Sequence, residues 1–65
     1  MRSRVAELRA SLGLTQTQLG DRLGVSRQTV ISIEKGRFDP SLPLAFRIAR
    51  TFDLPLEEIF AADGD

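Results

Sequence analysis

Arg27, Gln28, Ile31 and Ser32 lie one, three and four residues apart, so on a helix they share one outward face, with Thr29 beside them. Arg and Gln carry planar forks of hydrogen-bonding groups. Arg presents two parallel donors that match O6 and N7 of guanine, and Gln presents a donor and an acceptor that match N6 and N7 of adenine. Such a face has the chemistry to read base edges. Ile31 is unusual on a solvated surface. Contact with a thymine methyl would explain it, and so would incidental exposure or a different rotation of the helix about its core.

Other chemistries are excluded by what is missing. The 65 residues include no His, Cys, Trp or Tyr. The usual zinc sites and the Ser-His, Cys-His and His-based acid/base arrangements cannot be built without His or Cys. Disulfides are likewise ruled out, which suits a reducing cytoplasm. Glu57, Glu58, Asp63 and Asp65 are acidic, but nothing fixes their geometry as a metal cluster. No enzyme activity, metal or cofactor is therefore expected. No apolar run approaches the roughly 18–20 residues of a membrane span, and no signal-peptide core is visible, so neither a membrane partner nor export is expected.

The formal charge is zero, from nine basic and nine acidic residues, but it is unevenly distributed. Residues 1–50 carry all nine basic residues and four acids, a net +5, whereas residues 51–65 carry five acids and no base, a net −5. A basic body with an acidic end is compatible with a polyanionic partner, whereas the net value alone would not suggest one.

The elements that hold the Arg27 face are legible from local signals. Ser3 and Gly13 bracket a helix over about 4–12, with Val5, Leu8 and Leu12 as its stripe. Thr15 and Gln18 have capping-box spacing and open a helix over about 16–23, with Leu19 and Leu23 inward and Gly24 as its stop. Ser26 caps a helix over about 27–35, with Val30 and Ile33 inward and Gly36 beyond its end. Ser41 and Pro43 open a fourth helix over about 42–52, with Leu42, Ala45, Ile48, Ala49 and Phe52 inward. A short fifth helix is expected over about 55–60, with a frayed acidic tail over 61–65. No strand is expected. The whole of 1–65 reads as a single all-α domain, able to bury only about 60% of its unfolded surface.

Residues 16–35 stand out. Two helices meet across a turn of three residues, Gly24, Val25 and Ser26. Close crossing demands a small residue on the inner face of the first helix, and Gly20 supplies it at the expense of about 1 kcal/mol in helix propensity. The turn needs a residue tolerant of positive φ, Gly24, and an apolar plug, Val25. A plain αα-hairpin satisfies the same sterics, but not the outward Arg27–Gln28 pair.

The run from Leu14 to Gly36 resembles the phage repressor/Cro type of helix-turn-helix regulator, the xenobiotic-response-element family. Residues 38–52 and 56–60 resemble its small stand-alone branch. The resemblance implies a five-helix, lambda-repressor-like fold with the helix from Arg27 in the major groove. It implies base contacts from Arg27, Gln28 and Ser32, with Ile31 near them. It also implies contacts with the phosphate backbone from Gln16, Ser26, Thr29, Lys35 and Arg37, and an ion pair between Arg9 and Glu34. Three positions depart from the family pattern. Gly20 replaces the commoner Ala, Ile31 replaces a polar residue, and Pro55 replaces a Ser cap.

The expected function is sequence-specific binding of double-stranded DNA by a small transcriptional regulator. One small module makes a small interface, so a homodimer on a palindromic operator is expected, with Phe46, Leu54 or Leu56 at the contact. Phe46 is otherwise partial core. No small-molecule ligand is expected, because no room remains beside the core. The alternative is an antitoxin or adaptor that binds a protein partner through helices four and five.

Overall fold

The computed structural model describes residues 1–62; Asp63 and Asp65, expected in the acidic tail, lie outside the described residues. Helix α1, Val5–Ser11, begins without a side-chain cap. Ser3 does not take the N-cap position assigned to it, because the Arg4 amide is drawn to the Ile59 carbonyl at 2.8 Å and Arg4 becomes the boundary residue. The Ser3 hydroxyl still accepts from the Val5 amide at 3.2 Å.

The next three helices start where their caps place them. In α2, Gln16–Leu23, Thr15 Oγ1 accepts from the Gln18 amide at 3.0 Å, and Gln18 Oε1 accepts from the Thr15 amide at 2.9 Å. The capping box is therefore closed in both directions. In α3, Arg27–Glu34, Ser26 Oγ accepts from the Thr29 amide at 3.2 Å. In α4, Leu42–Phe52, Ser41 Oγ accepts from the Leu44 amide at 3.4 Å, and Pro43 occupies the first turn where no amide is needed. Helix α4 ends on Asp53, which adopts φ +54°, a left-handed conformation that Asp tolerates better than most residues.

The expected fifth helix is a correction. Leu56–Glu58 forms one 3₁₀ turn, closed by Glu58 N–H to the Pro55 carbonyl and Ile59 N–H to the Leu56 carbonyl. The chain past this turn is held by the N-terminal segment: the Arg4 amide bonds the Ile59 carbonyl at 2.8 Å and the Arg4 guanidinium bonds the Glu58 carbonyl at 2.7 Å. The chain instead extends into a two-residue strand. Arg2–Ser3 (β1) pairs antiparallel with Phe60–Ala61 (β2), Arg2 opposite Ala61 and Ser3 opposite Phe60. So four α-helices surround the core among the described residues, and the first residue of the expected frayed tail, Ala61, is held in a ladder.

The core is one cluster, drawn from every α-helix and from the residue that follows the 3₁₀ turn: Val5, Leu19, Leu23, Val30, Ile33, Leu44, Ile48 and Ile59. Two residues expected inside are outside. Leu12 is 50% exposed and Leu42 64% exposed. Leu12 follows the last turn of α1, and Leu42 opens α4 before the helix has reached the core, so Leu44 takes the buried place. No helix among the described residues is long and apolar enough to cross a membrane.

Candidate nucleic-acid interface

The crossing of α2 and α3 is set by the missing side chain of Gly20. A Cβ there would stand 2.7 Å from the Val25 carbonyl oxygen and 3.5 Å from the Ser26 carbonyl. The neighbour is backbone, which cannot swing away as a flexible side chain would. The Val25 amide donates to the Gly20 carbonyl at 2.9 Å, so the turn lies directly on α2. Gly24 makes the reversal at φ +74°, a conformation with little steric penalty for Gly alone. Val25 is half-buried against the core, as a plug between the helices.

A second tie is one that sequence reading missed. Arg47 on α4 donates from Nε to the Leu23 carbonyl at 3.0 Å. It satisfies one of the carbonyls left unpaired at the end of α2 and fixes the two-helix unit to α4. A basic residue on an amphipathic helix carries no local signal for such a partner 24 residues away.

Beneath α3 lies the ion pair of Arg9 and Glu34. Arg9 Nε is 2.6 Å from Glu34 Oε2, with side chains 20% and 8% exposed respectively. Arg9 also donates to Glu34 Oε1 at 3.4 Å and to the Leu14 carbonyl at 2.9 Å. The Arg9 guanidinium thus joins α1, α3 and the link before α2. Glu34 Oε1 takes one more bond, from Gln16 Nε2 at 3.1 Å. Gln16 Oε1 in turn accepts from Arg27 Nε at 3.3 Å.

These bonds place several of the expected site residues. Gln16 and Arg27, at the first residues of α2 and α3, are brought together. Arg27 and Gln28 are exposed, whereas Ile31 and Ser32 on the following turn are half-buried. Ile31 is therefore less open than the outward face suggests. Ser26 and Thr29 are occupied with one another: their hydroxyls lie 3.1 Å apart, and Ser26 also accepts from the Thr29 amide. Both still carry hydroxyls that can exchange this bond for an oxyanion. Lys35 and Arg37 are exposed just past α3, where the Arg37 amide closes on the Ser32 carbonyl at 3.0 Å. Among the described residues there is no group of acidic residues able to hold a metal ion.

The surface so formed is one helix start with two planar polar side chains, a neighbouring helix start beside it, and two cations at the far end. It can present hydrogen-bond donors to groove edges and to an anionic backbone together.

Comparison with known proteins agrees. The model of a family described as helix-turn-helix matches residues 5–59. An uncharacterised HTH-type transcriptional regulator of Methanocaldococcus jannaschii is 51% identical over 65 residues, covering 100% of this chain and 98% of its own. One from Archaeoglobus fulgidus is 48% identical over 65 residues, covering 100% of this chain and 92% of its own. The crystal structure of the restriction-modification controller protein C.AhdI of Aeromonas hydrophila superposes with a TM-score of 0.76 at 33% identity, covering 88% of this chain and 86% of that one. By pattern, fold and similarity, the chain belongs to the helix-turn-helix family of transcriptional regulators, of the phage repressor and Cro type.

Proposed function

We propose that the protein binds double-stranded DNA sequence-specifically, with α3 in the major groove. Arg27 and Gln28 read base edges, with Ser32 and Ile31 on the next turn contributing hydroxyl and apolar contacts. Gln16, Ser26, Thr29, Lys35 and Arg37 hold the phosphate backbone and fix the register. The observation that carries this reading is the α2–α3 crossing at Gly20, which leaves Arg27 and Gln28 exposed at the head of α3. As a regulator, it acts beside the chromosome in a prokaryotic cytoplasm by occluding or recruiting the transcription machinery. The fold and the family match over residues 5–59 support this reading, in which residues 1–65 act as one domain.

Two copies act together on a palindromic operator, with recognition helices about one turn, ~34 Å, apart. The backbone measures 31 × 22 × 21 Å, comparable with that spacing along its longest axis. Phe46, 50% exposed on α4, supports a contact between copies, and Leu42 lies one turn before it. Leu54 packs on the core and Leu56 is half-buried, so both are poorer candidates.

Selection of bound duplexes from a random pool tests the reading. The expected result is a short inverted repeat with half-sites one turn apart. Recovery of sequences with no common motif would overturn sequence-specific binding, and a motif without the repeat would overturn the paired arrangement.

A further inference from the structure

We propose that Glu34 is a positioning residue for base reading, acting through Gln16 on the direction of the Arg27 guanidinium. The proposal rests on the DNA-binding reading above and concerns what selects among base pairs. Arg27 and Glu34 stand seven residues apart on α3, two turns and about 10 Å along one face. Gln16, from the start of α2, bridges that gap: its Nε2 donates to Glu34 Oε1 at 3.1 Å and its Oε1 accepts from Arg27 Nε at 3.3 Å.

The chemistry of the three groups allows one arrangement only. An ionised carboxylate accepts and cannot donate, whereas a guanidinium donates and cannot accept. The amide between them must therefore turn its NH2 toward Glu34 and its oxygen toward Arg27. The reverse orientation would set oxygen against oxygen at one end and N–H against N–H at the other. Glu34 is itself fixed, 8% exposed and clamped by Arg9 at 2.6 Å. Direction therefore passes outward from a buried group to an exposed one.

Two consequences follow for Arg27. Its Nε is engaged, so the side chain is ordered before DNA arrives, and less freedom is lost on binding. Its two terminal nitrogens are left as a fork, the part of the group that fits O6 and N7 of guanine. Gln16 keeps one N–H on Nε2 for a phosphate oxygen. Glu34 touches no DNA in this arrangement, yet it decides which way both DNA-facing side chains point.

The test compares dissociation constants for the best selected duplex and for duplexes changed at one base pair each. The ratio of two constants for one protein cancels the folded fraction, so loss of stability alone leaves it unmoved. Arg27→Ala identifies the base pair that Arg27 reads, where the ratio falls by about five- to a hundredfold. Gln16→Met keeps the side-chain length and removes both bridging bonds. Glu34→Gln keeps the shape but can donate as well as accept, so it no longer dictates the amide direction.

Both variants are expected to lower the ratio at that base pair by about threefold or more, to leave it unchanged elsewhere, and to add nothing in the Arg27→Ala background. Equal weakening on every duplex, with the ratio intact, would make Gln16 a phosphate contact only and Glu34 a structural group. That result would overturn the proposal while leaving DNA binding standing. A wild-type protein with no preference among duplexes would overturn both.

Discussion

A carboxylate held at 8% exposure must be paired, because desolvation penalises its charge more than folding can offset. Glu34 meets that requirement with two bonds from Arg9 and one from Gln16. Removing it strands the Arg9 guanidinium. Glu34→Ala is expected to destabilise the protein by about 3 kcal/mol, near the lower end for a broken buried pair because Arg9 keeps a fifth of its exposure. Urea unfolding checks this, and an unchanged midpoint would refute the account of the pair. The sequence named Arg9 and Glu34 only through family resemblance. The partners are 25 residues apart, and no periodicity connects them. The outward Arg27–Gln28 face was legible because helix period alone sets it, but the Gln16 bridge was not, since it depends on where two helices cross.

At the scale of elements, the caps carried most of the legible information. Thr15–Gln18, Ser26 and Ser41 act within three residues of their own amides, and α2, α3 and α4 begin where they dictate. The fifth segment failed because its fate is decided by distant residues. Arg4 takes the Ile59 and Glu58 carbonyls, and β1 takes Phe60 and Ala61. The α2–α3 crossing makes a sharper prediction. A branched side chain at position 20 must push the Val25 and Ser26 backbone away. Gly20→Val is expected to destabilise by about 2 kcal/mol, lowering Tm by about 10 °C, as over-packing against unyielding backbone does. Calorimetry checks this, and a melting temperature at or above that of the wild type would show that the helices do not meet as closely as described.

For the molecule as a whole, the zero net charge divides into +5 over residues 1–50 and −5 over 51–65. Glu57 and Glu58 lie on the 3₁₀ turn, which packs against α4 and the strand pair, whereas the exposed cations Lys35 and Arg37 follow α3. The same acidic end is what an adaptor for a basic protein partner would present. The two readings differ in how association responds to salt, because only a polyelectrolyte releases condensed counterions on binding. The direct measurement is the affinity for the selected duplex across a range of salt concentrations. DNA binding through α3 predicts that log K falls linearly with log salt at about −0.9 per phosphate neutralised, a slope of at least about −2 per copy from Lys35 and Arg37 alone. An affinity that does not change with salt would contradict it.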